Sequence, residues 1–309
     1  MRTIPLGKSG LEVPAVAVGC MRITGLSAKE ARRFVASALD LGMNFFDHAD
    51  IYGGGECETL FAQAIEGVPR AKLLLQSKCG IRPGEKPPGT VRYDFSKAHI
   101  LEAVDGILSR LQTDHLDVLL LHRPDALMEP EEVAEAFDRL QTAGKVRHFV
   151  FLQNPGQMRL LQKYVRQPLV ANQLQFSVAH ASMVTQGTHV NMLDEAAANR
   201  DGGVLDFCRL HDITIQPWSP FQHGFFKGPY IGSKHYKALN EKLGELAQVY
   251  NADATAIALA WILRHPAKMQ PIAGTMNLAR LQSCAKAAEI TLTREDWYAL
   301  YHAAGHTLP

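Results

Sequence analysis

Asn44-Phe45-Phe46-Asp47-His48-Ala49-Asp50-Ile51-Tyr52-Gly53-Gly54-Gly55 is an apolar strand that runs into a carboxylate, followed by a tyrosine and then three glycines. The position of those glycines decides the fold. An open sheet that binds a dinucleotide carries GxGxxG between its first strand and first helix, where the backbone must approach a pyrophosphate. Here the first apolar strand, 15–18, ends at Gly19-Cys20-Met21, and the glycine run follows the second strand, 44–47. Working outward, further strand-like segments fall at 73–76, 118–121, 148–152, 169–172, 214–217 and 270–273. Each is short, and several hold adjacent apolar residues, as strands buried on both faces do. Eight such segments alternating with helices predict an α/β fold, a (β/α)8 TIM barrel forming one domain over 1–309.

The intervening helices are marked by caps and periodicity. Ser27 and Glu30 make a capping box ahead of Ala31, Phe34, Val35, Ala38 and Leu39. Ser96 opens a helix with Ile100, Leu101, Val104, Ile107, Leu108 and Leu111 on one face. Pro130 stands where a first helical turn accepts proline. Later helices are predicted over 157–165, 203–211, 236–250, 253–264 and 277–288, with a last one beginning near Thr293. The segments 79–93, 177–201 and 221–234 read as long loops, which in a barrel gather over the C-terminal mouth.

Composition excludes several function classes. With 32 Lys plus Arg against 31 Asp plus Glu, the formal charge of +1 gives no electrostatic case for nucleic acid or an anionic membrane. The longest apolar run, 256–263, falls far short of a membrane span. Cys20, Cys57, Cys79, Cys208 and Cys284 have neither disulfide-framework nor zinc spacing. The N-terminal MRTIPLGKSG lacks the apolar stretch of a signal peptide, so a cytoplasmic protein is expected. Oligomeric state is left open.

In a barrel, polar residues just past strand C-termini meet at one mouth. Asp47 ends the second strand and Tyr52 follows it; Lys78 ends the third; His122 ends the fourth. Each has an ordinary explanation: a turn cap, a packed ring with a wet tip, a solvated amine, a locally satisfied imidazole. Together they suit one reaction. Hydride addition to a carbonyl puts negative charge on oxygen, and an acid must supply a proton. A neighbouring ammonium pulls a phenol toward a usable range, so Lys78 would tune Tyr52 and Asp47 would hold Lys78. Neutral His122 would place the substrate oxygen.

With these residues in place the sequence resembles the aldo-keto reductase superfamily over nearly its whole length. Phe46-Asp47-His48-Ala49-Asp50-Ile51-Tyr52-Gly53 is similar to the FD-x-A-x-x-YG segment of that family. Ser77-Lys78 and Leu120-Leu121-His122-Arg123-Pro124 are similar to its lysine and histidine motifs, and the stretch from Leu6-Gly7 to Val18-Gly19 resembles its N-terminal β-hairpin and first strand. The resemblance implies an NADP(H)-dependent reductase of small-molecule carbonyl substrates, with Asp47, Tyr52, Lys78 and His122 as its tetrad. It further implies cofactor contacts from Met21, Gln173, Trp218, Ser219, Gly274, Thr275, Met276 and Arg280; a helix N-terminus plus an arginine makes a sound phosphate clamp. After the fifth strand the family has Gly-Val-Ser-Asn, whereas this chain reads Val150-Phe151-Leu152-Gln153-Asn154-Pro155, leaving Asn154 or Gln153 to replace the asparagine and nothing to replace the serine.

Two other readings compete. The chain could keep the barrel as a catalytically weak NADP(H)-binding regulatory or scaffold protein. A metal-dependent hydrolase would need His48, Asp50 and His122, whose spacing matches no metal-ligand pattern. Met21, Trp218, Phe225 and Phe226 suit an apolar pocket wall, and Arg123 either meets an anionic substrate or pairs with Asp125.

Overall fold

The computed structural model describes residues 1–84 and 90–309. The chain opens with an antiparallel hairpin, β1 (Thr3–Pro5) and β2 (Glu12–Pro14), that plugs the N-terminal end of the strands. Its Leu6 and Val13 are fully buried, and the Gly7 N–H donates to Thr214 Oγ1 at 2.8 Å. Gly7 has φ +50°, and a Cβ there would lie 2.2 Å from the Val170 carbonyl oxygen, so no other residue fits this contact.

The barrel strands are β3 (Ala17–Gly19), β4 (Phe45–Asp47), β5 (Leu74–Cys79), β8 (Leu116–Leu121), β9 (Val146–Phe151), β10 (Leu169–Gln175), β11 (Thr214–Trp218) and β12 (Ile272–Ala273); a short hairpin, β6 (Ile81–Pro83) with β7 (Val91–Tyr93), stands between β5 and β8. Neighbouring barrel strands are parallel throughout, in the order β11-β10-β9-β8-β5-β4-β3-β12. Gln270 N–H donates to Ile215 O at 2.9 Å, joining the lead-in of β12 to β11 and closing the ring. Each of the eight strand segments read from the sequence corresponds to one of these strands.

The helices are α1 (Ala28–Asp40), α2 (Glu56–Ala64), α3 (Lys97–Leu111), α4 (Pro130–Thr142), α5 (Pro155–Gln162), α6 (Ser182–Thr188), α7 (Val204–Leu210), α8 (Lys237–Val249), α9 (Ala254–Leu263), α10 (Leu278–Ala287) and α11 (Arg294–Ala303). Ser27 and Glu30 form the reciprocal capping box on α1, Ser96 caps α3 and Thr293 caps α11. α9 is apolar all round and buried from Ala256 to Leu263, which suits a helix covered on every side. Trp261 stacks on Trp297 of α11 at 4.7 Å, and each indole N–H donates to the other residue's carbonyl at 3.0 Å. Among the described residues no single helix is long and apolar enough to cross a membrane.

Three elements lie where loops were expected. Segment 177–201 contains α6, and segment 79–93 contains β6 and β7; its residues 85–89 lie outside the described part of the chain. α2 begins directly after Gly53–Gly55 and carries Glu56 and Glu58 among its apolar residues, which hides its periodicity.

Candidate active site

β4 and β5 run side by side, pairing Asp47 with Gln76, so that Asp47 and Lys78 both project into the barrel near its C-terminal mouth. Lys78 is 1% exposed, which a lysine tolerates only when its charge is answered. Its Nζ donates to Asp47 Oδ2 at 2.7 Å, to the His48 carbonyl at 2.6 Å and to Tyr52 Oη at 3.2 Å. These three acceptors use the three donors of an ammonium. Burial alone would lower the Lys78 pKa, but the Asp47 carboxylate and the Tyr52 oxygen outweigh it and raise it.

The glycine run explains how Tyr52 returns over that ammonium. Gly53, Gly54 and Gly55 have φ of 58°, 63° and 98°, three consecutive left-handed residues that turn the chain sharply before α2. The Tyr52 ring is half-buried in a cavity wall, with Lys78 Nζ 4.8 Å from its centroid and the His122 ring edge-on at 6.1 Å. The pKa of its phenol is raised, because burial outweighs the lowering by Lys78; Asp47 adds to the rise and Arg123 opposes it. The expected downward pull exists, but the net direction is upward. His122 is held neutral, its pKa driven well below the ordinary value by burial and then by Lys78 and Arg123. Its Nδ1 is buried without a hydrogen bond among the described residues, which leaves Nε2 to face the cavity.

Beneath Asp47 lies a layer of glutamines. Gln76 and Gln173 each donate to Asp47 Oδ1, at 2.6 and 2.8 Å, and each also donates to Gln216 Oε1 at 3.2 Å. Gln216 Nε2 donates to Gln270 Oε1, and Gln270 Nε2 to the Pro14 carbonyl, both at 2.8 Å. A carboxylate can only accept at one end of this chain, as can a carbonyl at the other, so the direction of every amide is fixed. Both amide hydrogens of Gln173 are therefore engaged, and its Oε1 is the atom left to accept from a ligand.

Asp47, Tyr52, His122, Gln173 and Trp218 share one cavity of about 840 Å³. The same cavity is lined by Gly19, Met21, Ser219, Gly274, Thr275, Met276 and Arg280 at the ends of β3, β11 and β12. Asn277 caps α10 by accepting from the Arg280 N–H at 3.0 Å, and its helix N-terminus opens on this part of the wall. Of the residues read from the sequence, Lys78 lies just behind the wall and Asn154 stands away from it. Asn154 is exposed and caps α5 in a box with Gln157, while Leu152 lines the cavity at that strand end. No motif marks Arg22, which lines the same cavity and donates to the Gly274 carbonyl at 3.3 Å. Among the described residues, no three His, Cys, Asp or Glu side chains converge on a metal position.

Asp50 provides a test of the electrostatics behind the cavity. Its Oδ1 is buried without a partner among the described residues, and burial, then the Glu58 carboxylate, push its pKa up to about 7. Above the ordinary value of 3.8 the unfolded chain has released a proton that the folded chain keeps until about 7. This group therefore lowers stability progressively as pH rises through that window. Asp50→Asn, which cannot ionise, is expected to raise the melting temperature relative to the parent more at pH 8 than at pH 4. An equal shift at both values would show that ionisation is not the source.

Residues 15–304 match the model of the Aldo/keto reductase family. The chain is 33% identical over 319 residues to oxidoreductase YdhF of Escherichia coli (strain K12), covering 100% of both chains. It is 34% identical over 307 residues to a 6-dehydroglucose reductase of Agrobacterium fabrum, covering 95% of each. The solved structure of an aldo-keto reductase from Klebsiella pneumoniae in complex with NADPH shares the fold at a TM-score of 0.78 and 22% identity, covering 100% of this chain and 97% of that one.

Proposed function

The chain belongs to the aldo/keto reductase family, and from that premise we propose that it reduces aldehydes or ketones to alcohols with NADPH, Tyr52 delivering the proton. The observation that carries the reading is the Lys78 ammonium bridging Asp47 and Tyr52 in the wall of a cavity that also holds His122.

The residues present fit a dinucleotide phosphate. Trp218 offers an aromatic ring in the same cavity as Tyr52 and His122, and Gln173 offers one acceptor oxygen. Arg22 and Arg280 bring two guanidinium groups to the α10 N-terminus, a setting suited to phosphate. NADPH, when bound, supplies the hydride that adds to the carbonyl carbon. His122 Nε2 donates to the carbonyl oxygen and orients it. As negative charge grows on that oxygen, the Tyr52 O–H bond breaks and its proton forms the alcohol O–H. The phenolate left behind sits against Lys78, whose charge Asp47 holds in place. The glutamine layer fixes Asp47 from the other side.

The test is loss of nicotinamide absorbance when the purified chain is mixed with NADPH and a panel of aldehydes and diketones. Reduction supports the proposal; NADPH binding without turnover of any carbonyl would favour a regulatory or scaffold role. For the cofactor end, Arg280→Ala is expected to raise the KM for NADPH by about thirtyfold, the loss of one charge-assisted phosphate contact. The KM for NADH should change far less. An equal rise for both cofactors would place the 2′-phosphate elsewhere.

A further inference from the structure

Arg123 follows His122 at the end of β8, with φ at +74°, a backbone conformation that is strained for a residue with a side chain. Its guanidinium lies over two rings, 5.1 Å from the Trp218 centroid and 5.2 Å from that of Phe225. Such contacts engage the faces of a guanidinium, whereas its five N–H donors lie in its plane. Among the described residues none of those donors has a hydrogen bond, and no carboxylate forms an ion pair with it. Asp125, the carboxylate nearest in sequence, is engaged otherwise: its Oδ2 accepts from the Phe95 N–H and its Oδ1 from the Leu127 N–H, both at 2.9 Å.

The surroundings are the substrate end of the cavity. Tyr52, His122 and Trp218 line it, and Ile81, Val91, Tyr93, Phe225 and Phe226 bring apolar and aromatic surface from the β6–β7 hairpin and segment 221–234. Arg123 is the cation among these residues. A partly desolvated guanidinium with idle donors is electrostatically unfavourable, and an anionic ligand would relieve it.

Resting on the carbonyl-reductase reading, we infer that Arg123 is a specificity determinant that selects carbonyl substrates bearing a carboxylate or similar anion on an apolar or aromatic body. The planar fork of its N–H donors receives the anion. The aromatic residues around it take the body of the substrate, and the carbonyl is directed to Tyr52 and His122.

The experiment compares 4-carboxybenzaldehyde with 4-methylbenzaldehyde, a neutral analogue of similar shape, at saturating NADPH in the parent chain, Arg123→Leu and Arg123→Lys. The parent is expected to favour the acid in kcat/KM by at least about tenfold, and that preference should fall by about thirtyfold in Arg123→Leu, through the KM for the acid. Arg123→Lys should keep part of the preference, and added salt should erode it in the parent. A ratio that is the same in the parent and in Arg123→Leu would overturn the inference, including a case where both rates fall together because the guanidinium only packs the loop. The same comparison is made without turnover, by calorimetry on the NADP⁺ complex with 4-(hydroxymethyl)benzoate and 4-methylbenzyl alcohol. If neither these aldehydes nor any carbonyl of the wider panel is reduced, the reductase reading fails, and the calorimetric ratio still decides Arg123. If 4-methylbenzaldehyde is reduced in a Tyr52-dependent way but neither ratio moves, only the Arg123 inference fails.

Discussion

Tyr52→Phe is expected to lower kcat for aldehyde reduction by about a thousandfold, the loss that removing the proposed general acid would bring. Phenylalanine keeps the ring in the cavity wall and the edge-on contact with His122, and it deletes only the hydroxyl that meets Lys78. NADPH binding, measured by quenching of tryptophan fluorescence, is therefore expected to stay within about twofold, since the donors of a charge-assisted phosphate site are untouched. Rates in pre-steady-state single turnovers isolate the loss from product release. Equal rates in the two proteins would remove Tyr52 from the mechanism. The pH profile adds a second requirement. Burial holds the Tyr52 phenol above its ordinary value of about 10, so the acid stays protonated across the neutral range. Reduction should not decline with rising pH until the ordinary phenol range or beyond. An alkaline fall centred near 8 would point to another proton donor.

Much of this geometry can be read from the chain, and the exceptions have physical causes. The eight barrel strands are legible because each carries apolar residues for both faces. Two run three residues beyond their expected ends at the mouth: β5 continues past Gln76 to Cys79 and β10 past Asn172 to Gln175. Here the barrel interior turns polar, so Ser77, Lys78 and Gln173 look like residues leaving a strand when they are inside it. The same cause hides the glutamine layer. Gln76, Gln216 and Gln270 stand alone in apolar segments, and only a closed ring of strands shows that they face one another. Asp47, Tyr52, Lys78 and His122 were legible because strand ends in a barrel converge whatever the loops do. Position 154 was not, because an asparagine ahead of Pro155 serves equally as a helix cap, and this one does. Arg22 is not legible for the opposite reason: it sits past a strand end beside Met21, and Gly274, which it contacts, is 252 residues away.

Lys78→Met should damage both stability and rate, and a second substitution separates the two. Methionine matches the lysine stem in length but leaves the Asp47 carboxylate, 3% exposed, without its cation. Removing one partner of a buried ion pair costs roughly 3–5 kcal/mol. The low end is expected here, because Gln76 and Gln173 still donate to Asp47 Oδ1. The deficit should be level from pH 8 to 9. A lysine whose folded pKa is raised contributes stability that is complete below its ordinary value of about 10.4 and is lost only as pH climbs through the elevated one. Turnover should fall by about a thousandfold, since the phenolate formed at Tyr52 would have no charge beside it. The double variant Asp47→Asn/Lys78→Met removes both charges, so denaturant unfolding should recover most of the lost stability while the rate stays low. Recovery of the rate along with stability would mean that the ion pair only supports the fold, and that Tyr52 gives up its proton without help from position 78. Failure of stability to recover would instead assign the deficit to packing rather than to a stranded carboxylate.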